Sequence, residues 1–174
     1  MRIPYQEGTG YAELFNGNKY WGEFEDNLMN GLGRYEWNNG LLYEGEFARN
    51  SINGIGKYTW NNSNSYIGNI ENFVRNGYGE YINNELHKNY VGEWKNGKFN
   101  GYGILKYDPE GKSYYEGEWL NNNKHGKGKM VYASGNVYTG DWKNNLKDGF
   151  GKMEFKDKNE EYVGFWKVNI IIMK

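Results

Sequence analysis

The chain has 174 residues, with 26 glycines, 17 tyrosines, 7 tryptophans, no cysteine and a formal net charge of −1. Without cysteine there is neither a disulfide framework nor a thiolate metal site, and the near-zero charge argues against a general nucleic-acid binder. Aromatics at 18% exclude a disordered composition.

No apolar run is long enough to span a bilayer as a helix. Arg2-Ile3-Pro4-Tyr5, after Met1, lacks the apolar core of a signal peptide, which predicts a cytoplasmic protein. The first predicted strand is "GTGYAEL", part of a half repeat at 8–19. Repeats then start near Tyr20, Tyr43, Tyr66, Tyr90, Tyr115 and Tyr138. An incomplete repeat follows from Tyr162 and ends in an apolar tail at 168–174, so one repeat domain takes up residues 1–174.

Each repeat opens with Tyr-x-Gly-x-(Trp/Phe), as in Tyr20-Gly22-Phe24 and Tyr115-Gly117-Trp119; Tyr66-Gly68-Ile70 is a weaker copy. Gly-x-Gly starts 11 residues after each of the first six tyrosines. The step from its second glycine to the next tyrosine varies from 10 to 12 and carries turn residues such as Asn38-Asn39-Gly40, Asn61-Asn62-Ser63-Asn64 and Asp108-Pro109-Glu110-Gly111. Fixed strands joined by variable surface turns are the reading this spacing supports. Alternation puts Tyr, Gly and Trp of the first strand on one face. The two glycines of the second strand share that face with the apolar residues that follow, for example Tyr35 and Trp37, or Met130 and Tyr132. A glycine in a strand leaves a hole that a neighbouring ring can cover. The other face is expected to be mostly polar, with Glu23, Glu46, Glu93, Glu118 and Asp141 pairing across strands with Arg34, Lys57, Lys129 and Lys152.

The string "YVGEWKNGKFNGYG" (Tyr90–Gly103) resembles the MORN repeat (membrane occupation and recognition nexus), and the match runs in register from about Gly8 to Trp166. The resemblance implies an all-β fold: an elongated, twisted, single-layer antiparallel sheet of stacked hairpins. About 14 strands would make it roughly 65 Å long. It also implies a scaffold or adaptor that binds a helix or peptide segment of a protein partner in an aromatic groove, in a membrane-associated cytoskeletal or motor complex. The third full repeat departs from the pattern at Asn69, Ile70 and Asn83, which predicts a thinner groove there. The tail Ile170-Ile171-Ile172-Met173 either caps the last hairpin as a buried strand or mediates a homodimer; a shortened chain is a further reading.

Most of the aromatics are expected to hold hairpins together. A solvent-facing subset, Tyr90, Trp94, Tyr107, Tyr115, Trp119, Tyr132, Tyr138 and Trp142, is the candidate groove. Residues 1–87 carry a net charge of −5 and residues 88–174 carry +4. In the basic half, Lys95, Lys98, Lys124, Lys127, Lys143 and Lys147 are expected near one sheet edge, either as solvated turn residues or as contacts to anionic phospholipid. Abundant asparagine, and 17 lysines against 4 arginines, read as the mark of an AT-rich genome. Catalysis has no motif behind it. The two histidines, His87 and His125, stand alone, and no Gly-x-Gly continues into a phosphate-binding fingerprint. The sequence predicts no enzyme, no cofactor and no metal. The sequon Asn61-Asn62-Ser63 means little without a secretion signal.

Overall fold

The computed structural model describes residues 7–60 and 63–172. The stretch Arg2–Tyr5, the turn and sequon residues Asn61 and Asn62, and Met173 and Lys174 of the tail lie outside the described residues. The chain divides into two compact units, Met1–Asn84 and Glu85–Lys174.

In the first unit the described residues form β1 (Gly8–Glu13), β2 (Lys19–Glu25), β3 (Leu28–Glu36), β4 (Leu42–Ala48), β5 (Ser51–Thr59), β6 (Ser65–Glu71) and β7 (Val74–Asn83). In the second they form β8 (Lys88–Lys95), β9 (Lys98–Lys106), β10 (Tyr114–Leu120), β11 (Asn123–Val131), β12 (Val137–Lys143), β13 (Leu146–Phe155), β14 (Glu160–Lys167) and β15 (Ile170–Ile171). Within each unit every strand pairs antiparallel with the next in the chain. Each unit is therefore the open sheet of stacked hairpins that the repeat predicts.

The register places glycine opposite glycine. In the second unit Gly92, Gly103, Gly117, Gly128, Gly140, Gly151 and Gly164 face one another from strand to strand, a row of missing side chains across the sheet. The repeat tyrosine fills the gap. A Cβ on Gly128 would stand 2.5 Å from Tyr115 Cζ, and one on Gly117 2.5 Å from Gly128 Cα. The Tyr115 ring thus lies over the glycine of its own strand and that of the next. Its hydroxyl donates to the Glu118 carbonyl at 3.0 Å, and the same bond recurs from Tyr20, Tyr43, Tyr66, Tyr90 and Tyr138.

Beyond the glycine pair the ladder shifts register, as between Gly117 and Trp119. Gly126, the first glycine of its Gly-x-Gly, takes φ +58° in this bulge. The Glu118 carboxylate covers it and accepts the Lys127 N–H at 2.8 Å. Glu23, Glu93 and Asp141 accept the N–H of Leu32, Tyr102 and Phe150 in the same way, at 2.9, 2.8 and 2.8 Å. These acids were expected to pair with outward-facing cations. Asp141 does pair with one, Lys127, but in the bulge all four acids accept a backbone N–H.

Tight two-residue turns close the hairpins on one margin. Asn121-Asn122 and Asn144-Asn145 have positive φ at both residues, the type I′ geometry that matches strand twist. The second asparagine reaches the preceding hairpin: Asn122 Oδ1 accepts from Phe99 N and Asn145 Oδ1 from Lys124 N, at 2.8 and 2.9 Å. On the opposite margin Asn18, Asn64 and Asn136 accept the N–H of Asn38, Asn84 and Lys156 at 3.0, 2.8 and 2.9 Å. The asparagine enrichment therefore has a structural cause. The tail folds back through Val168-Asn169, and β15 pairs with β14, setting Ile171 opposite Trp166.

Candidate partner-binding face

Six of the eight candidate groove residues are the core of the sheet's own ring face. Tyr90, Tyr115 and Tyr138 have no exposed surface, and Trp94, Trp119 and Trp142 keep 4%, 5% and 4%. The expectation that they face solvent does not hold, and the packing shows why. Trp119 and Trp142 each stand edge-on between the tyrosine of their own repeat and that of the repeat before. The Trp119 centroid is 5.0 Å from Tyr115 and 5.7 Å from Tyr90, and the Trp142 centroid is 5.2 Å from Tyr138 and 5.3 Å from Tyr115. The indole N–H of Trp119, Trp142 and Trp166 then donates to the carbonyl of Gly103, Gly128 and Gly151, at 3.1, 3.1 and 3.3 Å.

The other two, Tyr107 and Tyr132, are half-buried at the long-turn margin of the same face, with Phe155 following them. Burial, and then the neighbouring Tyr132, push the Tyr107 hydroxyl up to about 12. In the first unit Trp37 and Trp60 hold the corresponding places, also half-buried, and the third full repeat has Asn83 there. Sequence reasoning passed over the two tryptophans and Phe155 as groove residues. The signal was available: each is the last ring-face aromatic of its repeat, four residues beyond the second glycine of Gly-x-Gly.

The six lysines do not form one strip. Lys95, Lys98 and Lys143 are exposed beside the tight turns. Lys127 is on the opposite face, 2.5 Å from Asp141. Partial burial raises the Asp141 carboxyl, but the Lys127 ammonium and the Phe150 N–H outweigh it and hold the group below the usual range. Lys124 and Lys147 point onto the ring face, because they pair with Trp119 and Trp142 and share their side of the sheet.

The opposite face is less polar than expected. The middle residues of five Gly-x-Gly motifs, Leu32, Ile55, Tyr78, Tyr102 and Phe150, are all exposed there, with Lys127 holding that place in the motif between the last two. Charged groups separate them. Arg34 lies 3.8 Å from Glu44, Lys152 lies 2.7 Å from Glu161, and the Tyr102 hydroxyl donates to Glu116 at 3.0 Å.

The third full repeat keeps its geometry with altered residues. Asn69 Oδ1 accepts the Tyr78 N–H at 3.1 Å, standing in for the usual acid. Ile70 is buried in the tryptophan slot. The Arg75 guanidinium, opposite Ile70, lies 5.8 Å from the Tyr66 ring, 6.0 Å from Trp60 and 5.7 Å from Tyr81.

A family model of the MORN repeat matches residues 20–41, 43–65, 90–111, 115–137 and 138–160. The interval 66–89, which contains Asn69, Ile70 and Asn83, falls between matched segments. Among solved structures, the chain is similar to the TCP domain of SAS-4 (dCPAP) of Drosophila melanogaster, solved in complex with a proline-rich motif of Ana2 (dSTIL). The two share 13% identity over 95% of this chain and 97% of that one, with a TM-score of 0.44.

Proposed function

The chain belongs to the MORN-repeat family, and from that premise we propose that it is a non-catalytic scaffold holding a helix or peptide segment of a protein partner on the ring face of its second unit. The observation that carries this is the margin formed by Tyr107, Tyr132 and Phe155: half-buried rings on a sheet face over which the described residues of the unit lay no second layer. Partly exposed tyrosine and phenylalanine with a rigid backing are typical anchors for a partner segment. On the opposite face Phe150 and Phe165 form an exposed ring pair 5.4 Å apart, while the Lys152–Glu161 ion pair and the Tyr102–Glu116 hydrogen bond break up the rest. The buried tyrosines and tryptophans support this margin rather than contact the partner. A setting at a membrane-associated cytoskeleton or motor, in the cytoplasm, is the family-based part of the proposal.

Site-specific photo-crosslinking in cell lysate tests it. A crosslinker at Tyr132 should capture a discrete protein, and one at Tyr102 on the opposite face should not. Capture from Tyr102 alone would move the binding surface to the other face. Recovery of anionic lipid rather than protein would favour the membrane reading and assign contact to the exposed Lys95, Lys98 and Lys143.

A further inference from the structure

Lys88, Lys124 and Lys147 stand on the ring face of the second unit. Lys88 precedes Tyr90 by two residues, and the other two lie opposite tryptophans. Among the described strand residues of this unit, alternation puts one carboxylate on that face, Glu160, opposite Phe155 at the far margin. The face is therefore cationic as well as aromatic.

The cations rest on rings. Lys124 Nζ lies 4.8 Å from the Trp142 centroid, 5.5 Å from Tyr115 and 5.8 Å from Tyr107. Lys147 Nζ lies 4.2 Å from Trp166 and 5.5 Å from Tyr138. Among the described residues neither forms an ion pair, whereas Lys127, Lys152, Lys156 and Lys167 of the same unit all do. Both backbones are fixed. The Lys124 N–H donates to Asn145 Oδ1 at 2.9 Å and its carbonyl accepts the Asn145 N–H at 3.0 Å; Lys147 is held in the same way by Asn169, at 2.8 and 3.0 Å. Burial lowers the pKa of both ammonium groups, so each charge is kept where its surroundings disfavour it.

Resting on the scaffold reading above, we propose that the ring face of the second unit takes an acidic segment of its protein partner, with carboxylates on Lys124 and Lys147 and apolar side chains on Tyr107, Tyr132 and Phe155. The charges are complementary. A carboxylate would give each ring-held ammonium the charge-assisted hydrogen bond that it lacks among the described residues. The two lysines sit two strands apart, about 10 Å, which is about seven residues along a helix. A membrane surface fits this site less well, because these ammonium groups are recessed among rings. The protruding lysines stand elsewhere, beside the tight turns.

The test uses the full chain and synthetic amphipathic helices of about five turns. Each has a leucine face, with glutamate, glutamine or lysine repeated seven residues apart. Calorimetric titration should find the glutamate helix bound at least tenfold tighter than the glutamine helix, a preference that fades with salt, and the lysine helix unbound. Lys124→Met with Lys147→Met keeps the apolar stems and should reduce the glutamate helix to the affinity of the glutamine helix. Lys98→Met with Lys143→Met, at the turns, should leave it unchanged. Circular dichroism checks that both variants fold. If the ring-face variant does not, the wild-type order of the three helices decides alone.

Equal binding of the glutamate and glutamine helices would overturn the charge inference and leave the scaffold reading standing. Binding of none of the three would sink both. An equal loss in the turn variant would also overturn it. So would binding to phosphatidylserine vesicles through Lys124 and Lys147 without binding to the glutamate helix, which would assign these lysines to a membrane.

Discussion

Tyr115 shows what a single repeat tyrosine does. Its ring lies over Gly117 and Gly128, and its hydroxyl is bonded to the Glu118 carbonyl. Tyr115→Phe keeps the ring and removes that bond, and should cost about 1 kcal/mol. Gly128→Ala sets a methyl group against the ring and should cost about 3 kcal/mol, since overpacked cores displace side chains or backbone. Urea denaturation of the two variants side by side checks this, and equal costs would mean the ring is not seated on the glycine. The need for an aromatic over each glycine was legible from spacing alone. That the covering ring belongs to the same strand as the first glycine, two residues before it, was not. Nor was the role of the acid in Tyr-x-Gly-Glu. Period-two arithmetic sends Glu118 outward to meet a cation, and only the bulge at Gly126 brings a backbone N–H within its reach.

At the scale of the hairpin, the tight turns show why asparagine recurs. Asn121-Asn122 and Asn144-Asn145 accept the left-handed conformation and tie each hairpin to the one before. Asn72-Phe73 breaks the pattern. Phe73 takes φ +65° and places an exposed ring where the second asparagine usually stands. Its N–H still donates to the Ile52 carbonyl at 3.1 Å, but no amide returns the bond. Phe73→Asn should stabilise the chain by about 1 kcal/mol, from relieved backbone strain and one new side-chain bond. Thermal unfolding of the two proteins measures it, and a loss of stability would show that the Phe73 ring is held by packing. The hairpins were legible because Tyr and Gly-x-Gly keep a constant spacing. The asparagine signal was also there, in pairs at equivalent places, but a count carries no position and so does not show the turns they close.

Across the whole molecule the tyrosines act as one titrating set. Burial pushes Tyr20, Tyr43, Tyr66 and Tyr107 up to about 12, and raises Tyr115 and Tyr138 as well. An unfolded tyrosine ionises near pH 10. The folded state therefore holds its phenol protons more tightly, a contribution fully present below about pH 10 and lost as pH rises through about 12. The urea midpoint should fall steeply over that window, and the tyrosinate absorbance of these six rings, followed as the difference from chains with each replaced by phenylalanine, should rise only with unfolding. Their ionisation well before unfolding would show that these hydroxyls reach water in the native state. At this scale the family and the sheet were legible, because a repeat announces itself many times over. The binding face was only half legible. Sequence alone marks which rings share a side, but not which are covered by a neighbouring repeat, so six of the tyrosines and tryptophans expected to face solvent are enclosed. The two ring-seated lysines were legible by the same alternation, since Lys124 and Lys147 each precede the first glycine of a Gly-x-Gly by two residues and lie opposite a tryptophan.

The indole bonds of Trp119, Trp142 and Trp166 have a mechanical meaning. Each joins a hairpin to its predecessor by a contact of nearly the same length and chemistry. A load applied across the stacked strands of the second unit would meet a series of near-equal links rather than one weak plane. Such a sheet yields hairpin by hairpin, each release paying out a similar length of chain, so the unit acts as a spring with discrete steps whose outer hairpins can open while the inner ones stay closed.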